Sequence, residues 1–187
     1  MNGNHSRSAV AVAATLALAM ILSGTLSAAT SEKIDAKVDA ALANFTKEVK
    51  GGAEFLQSAK GILVLAGVVK AGFVVGGEYG EGALRVAGKT VDYYSIASGS
   101  FGFQFGAQKK DVILVFMEDQ ALKKFRESSG WKVGVDGSVV LIDIGAGGSI
   151  DSMNVKAPIV GFVVGQTGLM VNVTLEGSKI SKLDKSN

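Results

Sequence analysis

Apolar residues recur every three or four positions between Thr30 and Lys50, which is the spacing of one face of an α-helix. This apolar stripe consists of Ile34, Val38, Leu42, Phe45 and Val49. Ser31 is suited to cap the start of the helix, and Gly51-Gly52 ends it. The pattern predicts an amphipathic helix packed on a sheet, while the alternative is a helix that lies on a bilayer surface.

Glycine-rich, β-like sequence runs from Gly61 to Met117, after Ala53–Lys60, which is predicted to be a second short helix or a turn. The predicted strands in this part are Ile62–Leu65, Phe73–Val75, Val91–Ile96 and Val112–Met117. The segment Gly61–Gly77 is nearly all apolar, but Lys70 lies near its middle. This composition favours two buried strands around a turn over a membrane-spanning segment.

Strict alternation of large and small residues marks the segment Ser100–Ala107. Its aromatic residues, which share one face of the predicted strand, are Phe101, Phe103 and Phe105. Helical spacing returns in Glu118–Ser128 through Leu122 and Phe125, and Gly130 ends this short helix. We interpret the aromatic face as part of a hydrophobic core.

Strands resume after Trp131, at positions that alternate with turn residues. They are predicted at Lys132–Val135, Ser138–Ile144, Ile159–Val164 and Leu169–Leu175. Asp136-Gly137 is the strongest hairpin signal and is predicted to join the first two. Pro158 suits the start of a strand, and Ser178–Asn187 is expected to be a frayed polar tail. The whole pattern predicts one α+β domain: a curved, mainly antiparallel sheet with an N-terminal amphipathic helix and a short helix near 118–128.

The segment Met1–Ala29 has the three parts of a secretory leader. Arg7 provides a positive start, Ala9–Leu22 is a short apolar run, and Ser27-Ala28-Ala29 predicts cleavage before Thr30. An uncleaved anchor is the alternative. Thr25 stands where a lipoprotein has its lipid-carrying cysteine, and the chain contains no cysteine. We therefore expect a mature domain of residues 30–187 that is exported to the periplasm or the extracellular space and is not lipid-anchored.

Composition excludes several classes of chemistry. The sole histidine, His5, lies in the predicted leader, so the mature domain has neither histidine nor cysteine for catalytic triads or for the commonest zinc sites. Glu78 and Glu81 form a weak pair that we interpret as ordinary carboxylates rather than a catalytic pair. A formal net charge of +2 gives no strong field for nucleic acid. We expect no enzyme activity, no cofactor, no metal site and no nucleic-acid partner.

The glycine-rich motifs resemble those of a known family. Val69-Lys70-Ala71-Gly72-Phe73, followed by Gly76-Gly77-Glu78-Tyr79-Gly80-Glu81-Gly82, resembles the first signature of the SYLF domain family. The stretches that extend the resemblance are Ser98–Gln108, Gly130–Ser138 and Leu175–Lys179. It covers about Asp35 to Lys182, and one departure is Leu65-Ala66 where a Phe-Pro pair is common.

The resemblance implies a lipid-binding module, because fungal and animal SYLF domains bind phosphoinositides and some bind or bundle actin. Actin binding is not carried over to an exported protein. A lipid offers an anionic head and apolar tails, so its site needs a cation beside an apolar surface. Lys70 fits this description best, and Lys60 and Arg85 are weaker candidates. If the first helix lies on the membrane, Val38 and Phe45 are further candidates.

Two classes of partner therefore stay open. The first is a phospholipid or a membrane surface, bound by a non-catalytic module. The second is a protein partner, bound by a structural or interaction domain of the cell envelope. For Lys70 itself, the alternative to a lipid contact is an exposed turn position.

Overall fold

The computed structural model describes residues 29–72, 75–101, 108–142, 150, 156–165, 168–169 and 174–185. The helices in these ranges are α1 (Ser31–Glu48), α2 (Gly52–Gln57) and α3 (Asp119–Glu127). The strands are β1 (Gly61–Gly72), β2 (Val75–Val86), β3 (Lys89–Phe101), β4 (Gln108–Phe116), β5 (Trp131–Lys132), β6 (Val140–Leu141), β7 (Ile159–Gly165), β8 (Gly168–Leu169) and β9 (Lys179–Leu183). The predicted leader up to residue 28, and the predicted core residues Phe103 and Phe105, lie outside the described residues.

Helix α1 forms where the apolar stripe predicts it. Its cap is Thr30 rather than Ser31, because the Thr30 hydroxyl accepts the backbone N–H of Lys33 at 3.4 Å. The chain leaves the helix through Gly51, which has a φ of +79°. A side chain there would also collide with the carbonyl oxygen of Ile150, 2.6 Å from the Cβ position. Both the positive φ and the lack of space therefore require glycine.

The strands form one nine-stranded sheet in the order β5-β9-β3-β2-β1-β4-β7-β6, with β8 on β7. All pairs are antiparallel except β6 with β7. The end strands β5 and β6 are joined by residues 133–139 alone, which reach at most about 28 Å. The sheet must therefore curl, as the glycine content predicts, and the α+β fold class is confirmed.

The predicted hairpin at Asp136-Gly137 is wrong. The two flanking strands lie at opposite ends of the sheet order, β5 on β9 and β6 on β7. The turn does form, since the N–H of Gly134 donates to the carbonyl of Gly137 at 2.9 Å. However, the N–H of Val133 donates to the carbonyl of Ser178, so the chain pairs with the C-terminal segment instead.

The predicted frayed tail from Ser178 is wrong for the same reason. Residues Lys179–Leu183 form β9, which lies between β3 and β5. Ile180 of this strand is 1% exposed and packs in the core. The strand has only two apolar residues, Ile180 and Leu183, and because they are three positions apart the sequence shows no strand alternation.

Both faces of the sheet are covered. On the outer face, α1 and α2 pack on the strands, with the rings of Phe45 and Phe162 4.8 Å apart. On the inner face, α3 contributes Phe125, whose ring lies 4.9 Å from those of Tyr94 and Phe116. The strands that carry this core are therefore apolar on both sides, as the nearly all-apolar composition of β1 indicates for a buried strand.

Candidate functional site

The predicted lipid-binding cations do not meet in one place. Lys60 precedes β1, and Lys70 lies near the other end of the same strand, about 33 Å away at 3.3 Å per residue. Arg85 pairs in register with Ile62, near the Lys60 end. Lys60 is exposed and forms a 3.8 Å ion pair with Asp119, an arrangement of small energetic value.

Arg85 holds helix α1 on the sheet. Its Nη2 atom lies 2.7 Å from a carboxylate oxygen of Asp39 and 3.3 Å from one of Asp35. Asp35 also accepts the hydroxyls of Thr90 at 2.6 Å and Tyr93 at 2.8 Å. Burial and the bond to Asp35 raise the pKa of the Tyr93 hydroxyl. Arg85 is thus engaged inside the protein, between the helix and strands β2 and β3.

Val38 and Phe45 lie in the core under the same helix. Each side chain is 0% exposed and packs in the outer-face cluster with Val64, Ile113 and Phe162. Helix α1 therefore packs on the sheet, which is the first of the two arrangements that its sequence allows. A contact of Val38 or Phe45 with lipid requires the helix to leave the sheet, and that role stays a prediction.

Lys70 belongs to a nearly buried charge cluster on the inner face. It lies in β1 rather than in a turn, 3.8 Å from the carboxylate of Glu78, its register partner on β2. The other oxygen of Glu78 lies 2.9 Å from the Nζ atom of Lys110, which is 6% exposed. Two lysines share one carboxylate, so the cluster keeps one positive charge. Sequence reasoning missed Lys110, although a charge directly before the apolar run of β4 was its signal.

Beside this cluster, the outer face of the sheet carries an exposed apolar row. Tyr79 of β2 and Val69 of β1 are register partners that are 38% and 43% exposed. Ala97 of β3 continues the row on one side, and Lys109 of β4 continues it on the other. Register partners point to the same face, so an apolar strip ends at an exposed lysine. We call Tyr79, Val69 and Lys109 the outer row.

A groove of about 290 Å³ opens next to the outer row, between α1 and strands β1, β4 and β7. Ala40 and Ala41 of α1 and Ala66 of β1 supply apolar walls, and Lys37 and Lys109 supply cations. Gly67 has a φ of +67°, and the Cε atom of Lys109 lies 2.9 Å from where its Cβ would be. The absent side chain therefore leaves room for the stem of Lys109 to lie across β1.

The one carboxylate lining the groove is already engaged. Asp111 accepts the backbone N–H of Gly67 at 2.6 Å. Within the described residues, neither Lys37 nor Lys109 forms an ion pair with a carboxylate. The groove thus places two unpaired cations over small apolar side chains, which is chemistry suited to an anionic amphiphile.

Metal sites and membrane-spanning helices are two other features that could indicate a function. Among the described residues, no group of three or more histidine, aspartate or glutamate side chains is arranged to hold a metal ion. No helix in the part of the chain that the structure describes is long and apolar enough to cross a membrane.

The C-terminal part of the chain matches a known family. Residues 97–187 match the family model described as Ysc84, the Las17-binding protein actin regulator. This is the SYLF family. The match confirms the predicted family, and it includes β4, β7 and β9 together with Lys109 and Lys110 of the site. No curated protein matches the chain. The SYLF motifs of β1 and β2 lie before the matched residues, but these strands pair directly with β3 and β4 in the same sheet.

Proposed function

We propose that this SYLF protein is an exported, non-catalytic module that binds anionic phospholipid at a membrane surface through the outer row and the adjoining groove. The observation that carries the proposal is the exposed apolar pair Val69 and Tyr79 in register with the exposed cation Lys109. An exposed apolar patch rimmed by cations is the surface that an amphiphile with an anionic head complements.

Apolar contact supplies most of the expected affinity. Removing apolar surface from water contributes about 25 cal/mol for each Å². A lysine near an anionic surface adds about 1 kcal/mol. With a formal net charge of +2, the chain has no field strong enough for a purely electrostatic attachment. Added salt should therefore weaken vesicle binding in part and leave a salt-resistant remainder.

In this proposal Lys70 contributes charge from the inner face, as an auxiliary to the outer row. Its side chain is 27% exposed, whereas Lys110 and Glu78 are nearly buried. The net positive charge of the three-residue cluster lies one residue along β1 from Val69. An anionic head bound near the end of β1 would thus meet cations on both faces of the sheet.

The alternative is a protein-interaction domain of the cell envelope. Exposed apolar residues also occur between the two end strands, at Val135 of the connecting segment and Val140 of β6, which are 75% and 50% exposed. This second surface has no described cation groove beside it and suits a protein partner better than a lipid head. Actin regulation, which the description of the family model names, is not part of either proposal.

Vesicle co-sedimentation separates the two proposals. Purified protein is mixed with vesicles of phosphatidylglycerol and phosphatidylcholine, and the bound fraction is measured for the parent and for Val69→Asp. We expect Val69→Asp to lose most of the binding. Its carboxylate would face the anionic membrane surface at the position that the valine side chain occupies when the protein is bound. Val91→Asp is the matched control, since Val91 is 39% exposed on β3 and lies away from the outer row.

A second variant tests the charge alone. Lys109→Gln should weaken binding about fivefold, the equivalent of about 1 kcal/mol, with Lys124→Gln on the exposed side of α3 as its control. Thermal melts establish that each variant is folded. If both folded variants bind like the parent, the outer row is not the lipid site. If the parent binds no vesicles, the protein-interaction alternative replaces the lipid proposal.

A further inference from the structure

Two side chains that are distant in sequence hold the backbone of Ala29, one at its N–H group and the other at its carbonyl oxygen. The backbone N–H of Ala29 donates to Oε2 of Glu81 at 3.1 Å. The Nζ atom of Lys185 donates to the carbonyl oxygen of Ala29 at 2.7 Å. Glu81 is on β2 and Lys185 follows β9, so two separate parts of the fold meet at this one residue. We call Glu81 and Lys185 the N-terminal clamp.

The two side chains of the N-terminal clamp are nearly buried. Both are charged, although the backbone groups that they hold are neutral. The side chains of Glu81 and Lys185 are 11% and 12% exposed, and their charged atoms lie 3.7 Å apart. The Tyr79 hydroxyl donates to the other Glu81 oxygen at 2.9 Å. A charged donor in the place of this amide N–H would form a stronger hydrogen bond with the carboxylate.

We propose that the N-terminal clamp is a binding site for the α-ammonium group of the processed chain, and that processing occurs between Ala28 and Ala29. Hydrolysis of this peptide bond consumes one water, leaves a carboxylate on Ala28 and creates an ammonium group on Ala29. The atom that now donates an amide N–H to Glu81 then carries a positive charge and up to three protons. This rests on the proposed export of the protein and not on lipid binding.

The proposal moves the boundary by one residue from the site that the leader pattern predicts. Cleavage before Thr30 would remove Ala29, and with it both hydrogen bonds of the clamp. Cleavage before Ala29 keeps both and places small Ala28 at the last position of the leader, while the larger Leu26 takes the place that Ser27 has in the pattern for a cut before Thr30. Because a peptidase needs an accessible, extended segment, the cut must precede the docking of Ala29 onto Glu81.

The first test determines the N-terminal residue. The full chain is expressed with its leader in a bacterial host, and the exported protein is analysed by intact mass and by its N-terminal peptide. We expect Ala29 as the first residue. A chain that begins at Thr30 or later, or one that keeps residues 1–28, overturns the proposal while leaving the vesicle experiments unaffected.

The second test separates an ammonium site from an ordinary structural contact. Glu81→Gln is introduced into both the processed protein and the unprocessed full chain, and thermal midpoints are measured in one detergent buffer. A charge-assisted bond is about twice as strong as a neutral one, so the midpoint should fall about twice as far in the processed form. Glu54→Gln on exposed α2 is the control. Equal shifts in the two forms would show that Glu81 does not bind the ammonium group.

Discussion

The Nζ atom of Lys110 lies 2.9 Å from a carboxylate oxygen of Glu78, and the two side chains are 6% and 9% exposed. Charged side chains are almost never buried this deeply without a partner. Because Lys70 approaches the same carboxylate at 3.8 Å, Glu78 is the single described anion between two cations. The stability of this end of the inner face therefore depends on Glu78 more than on either lysine.

Replacing Glu78 with glutamine should be strongly destabilising. Loss of the carboxylate leaves Lys110 buried without an opposite charge, which costs about 3–5 kcal/mol in comparable pairs. Urea unfolding followed by circular dichroism measures the loss. Glu54→Gln, on an exposed helix surface, should change the free energy of unfolding by less than about 0.5 kcal/mol. A Glu78→Gln variant as stable as this control would show that the cluster is hydrated rather than buried.

Alkaline pH should destabilise the fold through its tyrosines. The chain has 3 tyrosines. Burial raises the pKa of Tyr94 from 10.0 to about 12. Burial and the hydrogen bond to Glu81 do the same for Tyr79. The pKa of Tyr93 is also raised. Since the unfolded chain releases these protons near pH 10, the stability they contribute is complete below pH 10 and is lost as the pH rises through about 12.

Tyrosinate absorbance and circular dichroism measured together check this prediction. We expect the native protein at pH 10 to show far less tyrosinate than the protein in denaturant, and the free energy of unfolding to fall steeply above pH 10. Tyr94→Phe should remove part of that fall while keeping the ring contact with Phe125. Native tyrosines that titrate at pH 10 would contradict the raised pKa values.

The local pattern of apolar residues was sufficient to predict the helices and the most apolar strands of the core. The stripe of α1 identified Ile34, Val38 and Phe45, all of which are buried against the sheet. Apolar runs likewise located β4 and β7. These elements bury one or both faces in a regular period, so the sequence alone indicates them.

Pairing between distant segments was not predictable in the same way. Asp136-Gly137 is a favoured hairpin sequence. However, the backbone of Val133 forms hydrogen bonds with the segment that leads into β9 instead. Lys110 and Glu78 meet because β1 brings β2 and β4 to its two sides, a relationship without a local signature. The same is true of the outer row, whose members come from three strands. The sequence therefore indicated cations near apolar residues as candidates, but it could not indicate which of them the fold brings together, and their binding role stays a prediction.

The contacts that hold Asp35 of α1 on the sheet, which we call the latch, allow two modes of lipid binding to be distinguished. Asp35 is held by Arg85, Thr90 and Tyr93 at 2.6–3.3 Å, so Asp35→Asn weakens the attachment of the helix. We expect a loss of about 1–3 kcal/mol in the free energy of unfolding and faster amide exchange in α1. Glu48→Gln is the matched control, because Glu48 is exposed on the same helix and is not a partner of Arg85.

The consequence for vesicle binding decides the mode. If lipid binds at the outer row, with α1 in place, folded Asp35→Asn should bind phosphatidylglycerol vesicles as tightly as the parent. If lipid instead contacts Val38 and Phe45, the helix must first leave the sheet, and weakening its latch should strengthen vesicle binding. The expected gain is about fivefold to tenfold for each 1–1.4 kcal/mol lost from the latch. Co-sedimentation of Asp35→Asn and Glu48→Gln beside the parent, at a temperature where all three are folded, would therefore reject the outer row if Asp35→Asn alone binds more tightly.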